Sequence, residues 1–262
     1  MNVIKFDDLQ NDALIPYARL TEAQLKNRLH PTEGLFICES IKVIRIALQH
    51  GLTPVSFLCE ERFVNTQLRD INPQVPVYTA TGDVLRQLTG YDLSRGILCA
   101  MRRPHTLTLT EVLKNATQVA IIDGVASSEN IGSIFRSSAA LGIDAILLTH
   151  TCCDPLVRRA CRVSMGTVFQ LPWTFFENYE QIKNEGFTTV ALALADNALP
   201  ISDPVLKHLK KTAIVLGSEG YGLSQEVINS ADYVAKIPMQ NGVDSLNVAS
   251  ASAVAFWELT KK

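Results

Sequence analysis

Three stretches in the second half of the chain hold side chains suited to gripping a ligand and polarising an oxygen. TAIVLGSEGYGLS (212–224) is an apolar run of strand length that ends in Gly217, Gly220 and Gly222, with the carboxylate of Glu219 among them. YVAKIPMQNGVDSLNVASASAVAFWEL (233–259) begins as a short apolar run ending at Ile237-Pro238-Met239. It crosses a polar loop, Gln240 to Asp244, and enters Ser245-Leu246-Asn247 ahead of a long helix of small residues. Glycine at a strand end lets backbone approach a ligand closely. Ser245 is placed to cap the helix that follows, and the Asn247 amide both donates and accepts. In NIGSIFRSSAALG (130–142), Arg136 sits among apolar and small residues. Its guanidinium, charged at any working pH, either snorkels to solvent or points into a cleft. Asn130 and Gly132, at the head of the same helix, read locally as a cap and a packing contact. Strand-end loops and a helix start converging on one spot build the ligand crevice of an α/β sheet.

Composition removes several alternatives. The glycines of GSEGYG run G-x-x-G-x-G near the chain end, whereas a dinucleotide fingerprint is G-x-G-x-x-G in a first βαβ unit. No phosphate loop, zincin helix or G-x-S-x-G elbow is present. The six cysteines form no C-x-x-C pair and the five histidines have no ligand spacing, so no metal is expected and the thiols read as reduced ones in a cytoplasmic protein. No apolar run reaches the roughly 20 residues of a membrane span, and the opening MNVIKFDDLQND lacks the apolar core of a secretory signal. The net charge of −2 leaves any nucleic-acid grip to local basic patches.

The elements that must position these residues follow from pattern. Strands are expected at LFICES, VSFLCEE, VPVYTA and RGILCAMRR, with helices at Thr21–His30, Glu39–His50 and a Thr81-capped Thr81–Leu88. This alternation is that of a small α/β unit. PHTLTLTEVLKN (104–115) interrupts it. From Gln118 the alternation restarts: QVAIID, AILLT, TTVALAL, TAIVLG and YVAKIP as strands, with helices at NIGSIFRSSAALG, DPLVRRACRVSMG, Asn178–Glu185, Leu223–Asn229 and Ser245–Leu259. Two α/β domains are expected, residues 1–105 and 116–262, joined by a linker at 106–115.

Taken together, NIGSIFRSSAALG, IVLGSEGYGLS and IPMQNGVDSLNVASASA resemble, in order and spacing, the three motifs of the SpoU (TrmH-like) class of SPOUT RNA methyltransferases. VRRACRVSMGTVFQLP resembles the segment those enzymes carry between the first two motifs. The amino-terminal unit is similar to the L30e-like substrate-binding domain often fused ahead of them. The resemblance implies a parallel-sheet α/β domain with a trefoil knot, a homodimer whose sites are completed by the other subunit, and S-adenosylmethionine as cofactor. It implies methyl transfer to a ribose 2′-hydroxyl of structured RNA, 23S ribosomal RNA first and transfer RNA second, with no role for DNA, which lacks that hydroxyl.

By the same resemblance the cofactor rests on Gly217, Ile237, Met239 and Leu246, with Leu194 as an adenine wall. Arg136 acts on the hydroxyl, supported by Asn130, Glu219, Ser245 and Asn247. A guanidinium of pKa above ~12 suits a cation stabilising the forming alkoxide better than a base. Arg162, which falls in the matching segment, with Arg158 and Arg159, and Lys26, Arg28, Arg102 and Arg103 in the amino-terminal unit, are the expected RNA contacts. A non-catalytic RNA-binding or assembly protein on the same fold is the competing reading, and a nicotinamide oxidoreductase is disfavoured by its glycine order.

Overall fold

The computed structural model describes residues 1–18, 21–27, 30, 33–93, 96–218 and 220–260. The chain divides into two compact units, the first formed by Met1–His105 with Leu156–Phe169, the second by Thr106–Pro155 with Gln170–Lys262.

The first unit is built on β1 (Asn2–Lys5), β2 (Leu35–Glu39), β3 (Pro54–Glu60), β4 (Pro76–Ala80) and β5 (Ile97–Arg102). They form one sheet in the order β1-β4-β3-β5-β2. β1, β4 and β3 run parallel, while β5 is antiparallel to both β3 and β2. Leu58, Leu98 and Ala100 pack on Leu85 and Leu88 of the Gly82–Thr89 helix, which Thr81 caps through the Val84 N–H as expected. The helix expected over Thr21–His30 spans Glu22–Lys26, closed at its start by a capping box from Thr21 to Gln24.

The segment 156–169 departs from the contiguous division read from the sequence, since it packs within the first unit. Its Arg158–Val163 helix lies against β2. Phe169 meets Phe36 with ring centroids 5.7 Å apart. An added Cβ on Gly166, whose φ is +89°, would sit 3.1 Å from Ile46. The expected linker also differs: Leu109–Leu113 is a helix opened by a Thr108–Glu111 capping box, and its Val112 and Leu113 are buried in the core of the second unit.

That second unit holds β6 (Gln118–Ile122), β7 (Ala145–Thr149), β8 (Trp173–Phe176), β9 (Thr188–Leu192), β10 (Leu199–Pro200), β11 (Thr212–Leu216) and β12 (Tyr233–Lys236). Their order is β10-β12-β9-β11-β6-β7-β8, and every pairing is parallel. Parallel sheets carry helices on both faces, so their strands read as unbroken apolar runs; every residue of β6 and β11 is buried. Val119, Ile121, Ala213 and Val215 face Val112, Ile182 and Val227 from three short helices. On the other face the Ser128–Ala140 and Val248–Thr260 helices pack together. The Thr260 hydroxyl donates to Leu141 C=O at 2.7 Å, tying their ends. Among the described residues no helix is long and apolar enough to cross a membrane. All six cysteines are free thiols; burial pushes Cys38 and Cys99 well up, and Cys59 to about 12.

Candidate active site

A cavity of about 390 Å³ opens at the carboxyl ends of β9, β11 and β12. Leu194, Gly217, Ile237, Met239, Ser245 and Leu246 line it. All five residues expected to hold a cofactor therefore meet in one place, with Ser245 beside them. They arrive from several different strand ends, which is where an open parallel sheet puts its ligand crevice.

Gly217 is glycine for a reason nearer than ligand approach. A Cβ there would lie 2.4 Å from the carbonyl carbon of Gly222 and 2.5 Å from Leu223 N. The loop doubles back on itself: Gly222 N–H donates to Ser218 C=O at 3.0 Å, and Gly222 takes φ +65°. The backbone of the returning limb fills the space a side chain needs, so the loop closes only over glycine.

The two motif helices are joined at their amino ends. Asn247 Oδ1 accepts from Ala249 N–H at 2.9 Å, and Asn247 Nδ2 donates to Asn130 Oδ1 at 3.1 Å. Asn247, not Ser245, is thus the cap; the helix starts at Val248, and Ser245 stays exposed in the loop at the cavity wall. Asn130 is likewise not a cap. Ser127 takes that role, its Oγ accepting from Asn130 N–H at 3.3 Å.

Arg136 is exposed and does not line the cavity of this chain. No described residue engages its guanidinium by hydrogen bond or ion pair, so within this subunit it faces outward. Glu219 and Arg28 lie outside the described residues.

The arginines expected to touch RNA divide by use. Arg162 Nη1 meets Glu39 Oε1 at 2.9 Å, and the Glu39 side chain is only 4% exposed. A buried carboxylate needs such a partner, which makes Arg162 a fixture of the first unit. Arg158 lies over the Tyr91 ring at 4.1 Å, and its N–H donates to Glu22 Oε1 at 3.0 Å. Arg159 is exposed. Arg102 is exposed and donates to Glu33 C=O at 3.1 Å, while Arg103 and Lys26 are half-buried.

Sequence reasoning passed over Asp123, at the carboxyl end of β6. Its Oδ1 accepts from Thr149 Oγ1 and its Oδ2 from Tyr179 Oη, both at 3.0 Å. Gly124 N–H donates to Thr149 Oγ1 at 3.0 Å, and Asp123 N–H to Leu216 C=O at 2.8 Å. Burial pushes the Tyr179 hydroxyl pKa far up, and the Asp123 carboxylate adds to it. The network holds the turn that leads to Ser127 and Asn130. An added Cβ on Gly124, at φ +69°, would stand 3.7 Å from Ser218 Cβ in the glycine loop. A carboxylate directly after the apolar run 119–122 is the signal available for finding it. Among the described residues no group of three or more His, Cys, Asp or Glu is arranged to hold a metal.

The family model described as SpoU rRNA Methylase matches residues 117–257. A tRNA/rRNA methyltransferase of Mycobacterium bovis, itself uncharacterised, is 36% identical over 237 residues, covering 87% of this chain and 82% of that one. An AdoMet-bound rRNA methyltransferase from Sinorhizobium meliloti superposes with a TM-score of 0.80 at 22% identity, over 98% of this chain and 97% of that one; at that identity the likeness is one of fold. A protein described as an RNA 2′-O ribose methyltransferase superposes with a TM-score of 0.79 at 25% identity, over 98% of this chain and 97% of that one.

Proposed function

Because this chain belongs to the SpoU rRNA methylase family, we propose that it methylates a ribose 2′-hydroxyl of structured RNA, with S-adenosylmethionine as donor and 23S ribosomal RNA as first substrate. Transfer RNA is the second reading, since the Mycobacterium bovis relative is named for both RNAs. The observation that carries the proposal is the meeting of Leu194, Gly217, Ile237, Met239 and Leu246 around one cavity, next to the Asn247–Asn130 bond.

The residues present suit the donor. Leu194, Ile237, Met239 and Leu246 give apolar walls for an adenine, and Ser245 adds a hydroxyl at the rim. When bound, S-adenosylmethionine supplies an electrophilic methyl group on a sulfonium. The chain's own tasks are then alignment and stabilisation of charge on a weakly acidic hydroxyl oxygen. Arg136 is the cation for the second task, since it keeps its charge and donates in a fork that fits an alkoxide and the adjoining phosphate.

That assignment needs two copies of the chain. Arg136 lies on the exposed face of its helix, and the neighbouring Val248–Thr260 helix shows Val254 (39% exposed) and Trp257 (55%) to the outside. Pairing of these faces buries the apolar side chains and carries Arg136 of each subunit toward the other's cavity. The first unit, as an L30e-like module, grips RNA through Arg102, Arg103, Lys26 and Arg159, with the protein acting in the cytoplasm.

The test is direct. Calorimetry with S-adenosylmethionine should give one site per subunit, and a radiolabelled methyl group should pass to ribosomal RNA from cells lacking the gene, at a ribose. Folded protein that ignores the donor, or labels a base instead, removes the proposal.

A further inference from the structure

Tyr221 stands at the tip of the glycine loop, 98% exposed. It sits between Gly220 and Gly222, and neither glycine has any atom within 4 Å of an added Cβ. The Gly222 N–H···O=C Ser218 bond at 3.0 Å pins the base of this hairpin, so the ring is held out from a fixed root with open space on both sides. Single exposed apolar residues are ordinary. What sets this one apart is its position, since Tyr221 is the only aromatic residue among the described residues that line the cavity. Leu194 and Leu246, both exposed, line the same cavity.

A nucleotide that swings out of its stack to bring its ribose hydroxyl to a group inside a cavity leaves its base in need of another surface. An aromatic ring on the rim, free of protein packing on either face, supplies one. Stacking on aromatic side chains is tolerant of base identity because every base has a π-face. It therefore sets how the nucleotide is presented, not which base is chosen. Resting on the RNA methyltransferase reading, we propose that Tyr221 stacks on an unpaired base of the RNA substrate at the mouth of the cavity. The flanking glycines let the ring tilt to meet it, and the tyrosine acts as a positioning and specificity element for unpaired RNA.

The experiment compares wild type with Tyr221→Ala, Tyr221→Phe and Tyr221→Trp, using ribosomal RNA from cells lacking the gene and radiolabelled S-adenosylmethionine. Tyr221→Ala should raise the KM for RNA roughly ten- to a hundredfold, the cost of losing one base–aromatic stack, while the affinity for S-adenosylmethionine stays within twofold. Tyr221→Phe and Tyr221→Trp should keep the wild-type KM within about threefold, because the ring and not the hydroxyl makes the stack. An unchanged KM in Tyr221→Ala overturns the proposal. So does failure of the aromatic replacements to rescue it, or conversion of the alanine variant to a different oligomeric state, which would make Tyr221 part of a subunit interface. Wild type that methylates no RNA would instead sink the underlying function.

Discussion

Asn247 and Asn130, 117 positions apart in sequence, are joined by a side-chain hydrogen bond of 3.1 Å. One amide thereby does two jobs, since Asn247 also caps its own helix at Ala249 N–H. The two can be separated. Asn247→Ser keeps a capping oxygen but is too short to span to Asn130, whereas Asn247→Ala loses both. We expect Asn247→Ala to cost about 1 kcal/mol, a fall of roughly 2–4 °C in Tm for a chain of this size. Asn247→Ser should melt within about 1 °C of wild type. Both should lose at least about tenfold in methyl transfer, as misalignment at a reacting centre does. Serine at full activity would confine Asn247 to capping.

Arg136, exposed and outside its own chain's cavity, should be dispensable for donor binding. Arg136→Ala is expected to bind S-adenosylmethionine within about twofold of wild type by calorimetry and to lose on the order of 10²–10³ in kcat, the usual cost of removing one charge-stabilising donor. Mixing it with a cavity-blocked variant, Leu246→Arg, tests the shared site. Partial recovery of activity in the mixture is expected, and none would place Arg136 with the cavity of its own subunit.

Arg162 was expected at an RNA surface and is found paired with buried Glu39. Arg162→Ala should destabilise the protein by about 3 kcal/mol, because it strands a buried carboxylate; that is the lower end of the usual range, since Arg162 itself is a third exposed. Arg162→Ala with Glu39→Leu should recover much of the loss. Arg159→Glu should reduce the salt slope of RNA binding by roughly 0.7–0.9 for each phosphate that is no longer neutralised. A denaturation midpoint unmoved by Arg162→Ala would mean that the ion pair contributes nothing.

What could be read from the sequence depended on how local its cause was. β6, β11 and the 128–140 helix follow from unbroken apolar runs and helical spacing, and the cavity residues follow from motif order. β1 escaped because an exposed edge strand, NVIK, carries no apolar alternation. β8 escaped because four residues, WTFF, are too short to show a period. The sequence points to a cap two residues early because Ser245 and Asn247 are equally good capping types, and only the course of the loop past the cavity chooses between them. The docking of 156–169 in the first unit rests on Arg162 meeting Glu39 and Gly166 meeting Ile46, partners more than a hundred positions away that no local pattern could announce.

The Asp123–Tyr179 bond gives a prediction in pH. Burial and the adjacent carboxylate raise the Tyr179 pKa well above its unfolded value, which is about 10. The folded state therefore holds this proton more tightly, so the contribution is complete below pH 10 and is lost as pH rises toward the folded value. Tyr17, raised mainly by burial, declines in the same window, so wild-type stability should fall steeply above pH 10. Tyr179→Phe removes one of several proton-holders, since the buried thiols Cys38, Cys59 and Cys99 are raised as well as Tyr17. It should cost about 1–2 kcal/mol at neutral pH, because the half-buried carboxylate loses a donor. Above pH 10 its stability should fall less steeply than that of wild type, by up to about 1.4 kcal/mol per pH unit. Urea denaturation at pH 8, 10 and 11 measures both. Parallel curves for the two proteins across that range would show that the Tyr179 hydroxyl titrates normally and that Asp123 is held by Thr149 alone.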